Sequence, residues 1–239
     1  MYRRLTRVAA LTAALSWPLA GVAADCAADA MLVFDGSGSM VEFGYDYRQT
    51  TRIAEARLAV ARAIPQVAPF RRIGLLVYGP NTGDSCSGVT LKFPPRPDAA
   101  EPIISEVRAL NPGGLTPLAN SVRAAAEVLD FRQRPGVIVV VTDGNETCGG
   151  RPCATAAALA GEAQDLTIHV IGFRAVVDFW TWDNPEQERG KDMVAQCLAQ
   201  MTGGRYVKTE TVDELVEALN ATLGCPLFGA LRPRTTLPG

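Results

Sequence analysis

The sequence has few of the residues and motifs on which several common classes of active site depend. Its 239 residues include a single histidine, His169, which lies in the middle of a predicted strand and not in a loop. It contains neither a Gly-x-Ser-x-Gly nucleophile elbow nor a Gly-Lys-Ser/Thr phosphate-binding loop. A serine–histidine hydrolase and a P-loop enzyme are therefore disfavoured, and we expect a structural role for His169.

The sequence also lacks a basic excess and a long apolar segment. Lys and Arg number 23 against 25 Asp and Glu, a net charge of −2, so we expect no nucleic-acid partner. The apolar stretch 8–22 contains Pro18 and is shorter than the roughly 20 residues of a membrane span. Because three arginines precede it and small residues follow, residues 1–24 are predicted to be a signal peptide. We expect a periplasmic or secreted protein with no membrane span after cleavage.

Six cysteines are present, but no Cys-x-x-Cys pair occurs among them. Without such a pair, and with one histidine, a structural zinc site is disfavoured. Cysteines in an exported chain more often form disulfides. The cysteines stand at positions 26, 86, 148, 153, 197 and 225.

Hydrophobic periodicity predicts alternating strands and helices in one α/β domain over residues 25–225. Only ten residues separate the strands predicted at 72–78 and 89–93, too few for a helical crossover, so these two are expected to pair antiparallel. The fold is predicted to be doubly wound, with a mostly parallel sheet, one antiparallel edge strand and helices on both faces. The proline-rich tail 226–239 is predicted to be disordered. Other strands are expected at about 30–35, 136–142, 166–173 and 204–208, and helices at about 51–67, 98–110, 117–130, 153–165, 191–201 and 211–223.

Oxygen-bearing side chains follow two of the predicted parallel strands. Asp35 ends the first strand, with Ser37 and Ser39 in the turn behind it, and Asp143 follows strand 136–142. Thr116 lies in the loop that leads into the helix at 117–130. Ligands of open α/β sheets bind beyond the carboxyl ends of strands, and hard cations prefer oxygen ligands. Although each segment alone is also typical of a turn or a helix cap, together they predict one cation site.

These three segments resemble the von Willebrand factor type A (VWA) domain. Asp35-Gly-Ser37-Gly-Ser39, Thr116 in Gly-Gly-Leu-Thr-Pro-Leu and Asp143 in Val-Thr-Asp-Gly match every position of its metal-ion-dependent adhesion site (MIDAS). The resemblance covers about residues 28–223. It is nearest to exported bacterial members, some of which carry a segment similar to Glu-Thr-Cys-Gly-Gly at 146–150.

The resemblance implies a binding module and not an enzyme. Ser37, Ser39 and Thr116 would ligate Mg²⁺ (or Mn²⁺ or Ca²⁺) directly or through water, while Asp35 and Asp143 hold its waters. An Asp or Glu of a partner protein would complete the coordination. Two alternatives stay open, a cell-envelope scaffold whose metal is purely structural and a metal-dependent hydrolase. A phosphatase is disfavoured because Ser37 stands where it would carry its second acid.

Disulfide pairing is a further hypothesis. Cys148 and Cys153 lie close enough in sequence to bridge and stiffen the turn after Asp143. Related domains are sometimes stapled at their two ends, which implies a Cys26–Cys225 bond. Cys86 and Cys197 would remain, either paired with each other or free.

The predicted loop 175–190 follows a strand whose carboxyl end shares the metal's edge of the sheet. It contains Trp180 and Trp182. They either form a small satellite core or contact the partner beside the metal.

Overall fold

The part of the chain that the structure describes comprises residues 28–42, 50–80, 86–144, 146–175 and 195–225. The structure is a computed structural model. Several predicted features lie outside the described residues: the signal peptide at 1–24, the tail at 226–239, Cys26, Trp180 and Trp182.

Strands and helices alternate along most of the described chain, as predicted, except where two strands and then two helices follow each other at residues 73–128. A short 3₁₀ helix (Gly38–Val41) follows the first strand directly. The strands are β1 (Asp29–Asp35), β2 (Ile73–Tyr78), β3 (Val89–Arg96), β4 (Pro135–Thr142), β5 (Asp165–Phe173) and β6 (Tyr206–Thr209). The helices are α1 (Arg52–Val67), α2 (Ala100–Ala109), α3 (Leu118–Val128), α4 (Pro152–Glu162), α5 (Gln196–Met201) and α6 (Val212–Leu223).

The strands form one mixed sheet in the order β3-β2-β1-β4-β5-β6. Only the β2–β3 pair is antiparallel; the other neighbours are parallel. The predicted doubly wound sheet with one antiparallel edge strand is therefore confirmed. Strand order reverses between β1 and β4, so the carboxyl ends of these two strands form the switch point at which such sheets bind ligands.

The sheet is buried on both faces because helices cover each of them. Alternate residues of β1 point to opposite sides: Leu32 and Phe34 face α1, α2 and α6, whereas Met31 and Val33 face α3, α4 and α5. Parallel strands covered on both sides need continuous apolar sequence, and β1 and β4 have it. This rigid centre fixes the positions of the strand ends.

Among the boundaries that differ from the predicted ones, two have identifiable reasons. Strand β3 continues to Arg96 through Pro94 and Pro95, which an edge strand tolerates because one of its sides needs no ladder hydrogen bonds. The helix predicted at 117–130 begins one residue later, at Leu118, because Pro117 is the N-cap of α3.

The predicted Cys148–Cys153 disulfide is wrong. Cys153 lies in the first turn of α4 and bonds Cys197 in the neighbouring helix α5, with a Cα–Cα distance of 5.0 Å. Cys148 lies in the preceding loop and bonds Cys86, at 5.5 Å between Cα atoms. The start of α4 between Cys148 and Cys153 directs the two side chains to different neighbours. The alternatives for Cys86 and Cys197, paired with each other or free, are wrong for the same reason.

Candidate metal centre

Asp35 is held rigidly at the carboxyl end of β1. It is completely buried, and its Oδ1 accepts a hydrogen bond of 2.8 Å from the backbone N–H of Ser37. Its Oδ2 lies 2.8 Å from the Tyr78 hydroxyl and 2.7 Å from Thr142 Oγ1. Neighbouring strands supply both hydroxyls, since Tyr78 ends β2 and Thr142 ends β4. The orientation of Asp35 is therefore set by the sheet itself.

Ser37, Ser39 and Asp143 form a continuous row of oxygens beside Asp35. The two serine Oγ atoms are 3.1 Å apart, and Ser39 Oγ donates to Asp143 Oδ1 at 2.7 Å. Neighbouring ligands of an octahedral cation with bonds of about 2.1 Å lie about 3 Å apart. The spacing and chemistry of these oxygens fit Mg²⁺ or a similar hard cation.

Thr116 lies on an adjacent loop that is hydrogen-bonded to the turn after β1. The N–H of Gly38 donates to the carbonyl of Gly114 at 3.0 Å, and the N–H of Gly113 donates to that of Gly36 at 2.9 Å. Thr116 itself is buried. The structure thus joins four predicted ligands through direct contacts and places the loop carrying Thr116 against them.

Gly79 makes this close packing possible. Its φ of +98° is a conformation that side chains rarely adopt, and a Cβ here would lie 2.5 to 2.7 Å from backbone atoms of Ser37 and Gly36. The chain leaving β2 therefore lies directly against the turn that carries the serines.

The two carboxylates are only partly neutralised. Burial raises the pKa of Asp143 to about 7, and the charge of Asp35 adds to the increase, although the Ser39 hydrogen bond and Arg52 oppose it. Burial, followed by the Asp35 charge, also raises the pKa of Tyr78 well above its ordinary value, so its phenol stays protonated and can donate. This excess of buried negative charge favours a cation at the site.

Arg52 is a residue of the site that the sequence reasoning missed. It begins α1 and is buried, with Nη1 3.2 Å from Asp143 Oδ2, 3.0 Å from the Ser39 carbonyl and 3.1 Å from Glu42 Oε2. An arginine in the first turn opposes the helix dipole. That mismatch was a usable signal that another interaction fixes its position.

The structure adds three further polar residues at this edge, Tyr78, Thr142 and Glu146. Tyr78 and Thr142 each end an apolar strand, as Asp35 does. The position at the carboxyl end of a strand, which marked Asp35 in the sequence, therefore marked these two residues as well. Glu146 is buried and caps α3 through Ala119 N at 2.8 Å. Among the described residues, no three His, Cys, Asp or Glu side chains cluster as metal ligands would, so a cation here depends on hydroxyl oxygens.

His169 lies away from these contacts, in the middle of β5. Its Nδ1 accepts a hydrogen bond of 3.0 Å from the backbone N–H of Arg205. Burial, followed by the charges of Arg205 and Arg71, lowers its pKa to about 4. His169 thus carries out the structural role expected of it, as a neutral acceptor between β5 and the start of β6.

The covalent cross-links bear on where the protein resides. Two disulfides occur among the described residues, which fits an extracytoplasmic protein. None of the described helices combines the length and apolar character required to span a bilayer.

Comparison with known sequences points to one family and to relatives of similar length. Residues 30–146 match the family model described as the von Willebrand factor type A domain, which includes every predicted ligand. The protein YwmD of Bacillus subtilis is 25% identical over 217 residues, which cover 87% of this chain and 90% of YwmD.

Solved structures share the fold at low sequence identity. The von Willebrand factor type A structure from Catenulispora acidiphila aligns with a TM-score of 0.56 and 16% identity, covering 82% of this chain and 42% of that one. Proximal thread matrix protein 1 of the mussel byssus, solved with a zinc-occupied MIDAS motif, aligns with a TM-score of 0.55 and 18% identity, covering 82% and 47%. The family match over residues 30–146 and the shared fold together support a von Willebrand factor type A domain in this chain.

Proposed function

We propose that this protein is an exported binding module that docks a protein partner through a divalent cation. The observation that carries the proposal is the row of oxygens from Asp35, Ser37, Ser39 and Asp143 at the switch point of the sheet, in which all but Ser39 are buried. No histidine or cysteine belongs to this row, which favours Mg²⁺, Mn²⁺ or Ca²⁺ over softer metals.

The residues divide into two groups by charge. Ser37, Ser39 and Thr116 would hold the cation through neutral hydroxyl oxygens, directly or through water. Asp35 and Asp143 would supply negative charge around it and accept hydrogen bonds from its waters. When bound, the cation supplies an electrophilic position at which a water can be exchanged for an anionic ligand. Neutral ligands leave more positive charge on the cation than an all-carboxylate site would.

The charges around the site favour a carboxylate as that ligand. With Asp143 ionised, the two buried carboxylates and the Arg52 guanidinium leave a net charge of about −1, so a divalent cation makes the loaded site positive. Glu42 also contacts Arg52, but its side chain is 66% exposed and screened by water. An incoming Asp or Glu therefore completes both the coordination and the charge balance.

An exported location, in the periplasm or outside the cell, is part of the proposal. The two disulfides support it, because such bonds persist in oxidising compartments. The basic and apolar character of residues 1–24 supports it independently. Partners are then expected among envelope or extracellular proteins.

Affinity capture from envelope extract tests this function. Wild-type protein should retain a specific partner with magnesium present and release it when chelator is added. Asp143→Asn should lose that partner, whereas Asp29→Asn, at the opposite end of β1, should keep it. Retention that is equal with and without chelator would contradict metal-dependent docking, and turnover of a phosphoester by purified protein would contradict the non-enzymatic assignment.

A further inference from the structure

The loop that follows Asp143 contacts the start of α3 through a buried carboxylate. Pro117 is the N-cap of α3 and makes no side-chain capping bond. Glu146 acts instead: its Oε2 accepts from Ala119 N at 2.8 Å, and its Oε1 accepts from Cys148 N at 2.8 Å. The helix dipole and these two donors offset the cost of burying the charge. Glu146 thus ties its own loop to the helix that Thr116 precedes.

The next residue holds Thr116 directly. The Thr116 N–H donates to Thr147 Oγ1 at 2.8 Å, and the Thr147 N–H donates to the Thr116 carbonyl at 3.0 Å. Both backbone polar groups of Thr116 are therefore fixed by one partner. With the backbone fixed, the Thr116 hydroxyl is restricted to the directions that its rotamers allow.

The third residue of the segment is anchored covalently. Cys148 bonds Cys86, which joins the loop after β4 to the loop after β2. Strands β2 and β4 flank β1 on its two sides, so the bond links the loops on either side of Asp35 and Ser37.

We infer that Glu146, Thr147 and the Cys86–Cys148 bond form a clasp that positions Thr116 at the metal centre. The clasp residues do not touch the cation; they act on its affinity through the placement of Thr116. This inference rests on the proposed metal site. It assigns a role to the Glu-Thr-Cys segment that neither the ligand pattern nor the fold requires.

The second disulfide provides a matched control. Cys153–Cys197 joins α4 to α5, whereas the hydrogen bonds to Thr116 and to the start of α3 come from Thr147 and Glu146, beside Cys148. The two bonds close segments of similar length, with sequence separations of 62 and 44 residues, so their loss removes similar constraints on the unfolded chain. If removing the two disulfides has different effects, the difference is therefore due to where each bond lies in the structure and not to the length of chain that it closes.

The test compares Cys86→Ser/Cys148→Ser with Cys153→Ser/Cys197→Ser by Mn²⁺ titration calorimetry and by amide hydrogen exchange. Loss of the clasp disulfide should weaken Mn²⁺ binding about tenfold and speed exchange at Thr116 and Ala119 about tenfold. The control pair should change both by less than about twofold. Equal effects of the two pairs, or none from the first, would overturn the clasp.

Thr147→Val keeps both disulfides and removes only the Oγ1 acceptor, which covers the case in which the cysteine variant does not fold. It should weaken Mn²⁺ binding about threefold and speed exchange at Thr116 more than at Ala119; unchanged values for both would overturn the clasp. A wild type that binds no Mn²⁺ would refute the proposed function and the effect on affinity together. Exchange at Thr116 would then still show whether the clasp positions that residue.

Discussion

The two ends of β1 carry the same residue in opposite electrostatic environments. Asp29 begins the strand and Asp35 ends it. Asp29 forms ion pairs with Arg72 at 3.1 Å and with Arg134 at 3.9 Å, and both arginines are more than half exposed. Asp35 is completely buried, and the donors to its carboxylate among the described residues are all neutral.

The difference shows where charge has been left uncompensated. At the amino end, one carboxylate has two arginines. At the carboxyl end, Asp143 contacts the buried guanidinium of Arg52, which also contacts Glu42, and no cationic side chain among the described residues contacts Asp35. Buried charges are costly unless they are paired. We therefore expect a bound cation to add stability at the carboxyl end, and the following predictions test that contrast.

The largest effect is expected from Gly79→Ala, which disturbs the backbone beside Asp35. A Cβ at Gly79 would overlap the Ser37 backbone and require an unfavourable φ, so unfolding free energy should fall by about 3 kcal/mol. Gly113→Ala is the control, because a Cβ there has no atom within 4 Å, and it should change stability by less than about 0.5 kcal/mol. Urea denaturation measures the unfolding free energy of both variants. Similar decreases in the two would show that the close backbone packing at Gly79 does not determine stability.

A pH effect is expected from His169, a partly buried group that, unlike Asp35, is bonded as a neutral acceptor. Its folded pKa of about 4 lies below the unfolded value of about 6.5, so the unfolded state takes up the proton first. Its stabilising contribution is complete above pH 6.5 and is lost as the pH falls towards 4. Because the ring is partly solvent-exposed, we expect a loss of roughly 1–2 kcal/mol.

His169→Asn removes the titration but keeps an acceptor for the Arg205 N–H. Denaturation curves between pH 7 and 4.5 should fall less steeply for this variant than for wild type. Parallel curves would show that His169 does not contribute to the acid sensitivity.

An intermediate effect is expected from Arg52→Gln, which removes the one buried cation that contacts Asp143 within the described part of the chain. Without this positive charge the site attracts a divalent cation more strongly, so affinity for Mn²⁺ should rise about tenfold, or about 1.4 kcal/mol. Arg72→Gln removes the corresponding charge beside Asp29 and should leave the affinity unchanged. Calorimetry distinguishes these outcomes, and weaker binding by Arg52→Gln would mean that Arg52 matters more for geometry than for charge.

The smallest effect is expected from Asp29→Asn. Its arginine partners are exposed, and surface ion pairs contribute little, so the unfolding free energy should change by about 0.5 kcal/mol. A loss of several kcal/mol would show that the two ends of β1 are equally dependent on their acids.

The sheet and the candidate ligands followed from local sequence for a physical reason. Asp35 and Asp143 end continuous apolar runs, and such runs predict parallel strands whose carboxyl ends meet. Loops of few residues limit where Ser37 and Ser39 can lie. The antiparallel pairing of β3 followed in the same way from the short connection that precedes it.

What the sequence did not predict depends on how helices pack. Arg52 approaches Asp143 only because α1 begins beside the turn after β1. Cys148 and Cys153 are near in sequence, but α4 begins between them and separates their side chains. A short separation in sequence is therefore a poor guide to disulfide pairing where a helix begins between the two cysteines. The roles of Glu146 and Thr147 were not predicted either, because they depend on hydrogen bonds to residues that are distant in sequence.

Calorimetric titration of metal-free protein with Mn²⁺, comparing wild type, Asp35→Asn and Asp29→Asn, tests the central claim most directly. Asparagine keeps the volume of Asp35 and an acceptor for the Ser37 N–H, so the variant should remain folded. The account predicts one site in wild type, the same affinity in Asp29→Asn, and a loss of roughly 100-fold in Asp35→Asn. Equal binding by Asp35→Asn and wild type, or no binding by wild type, would contradict it.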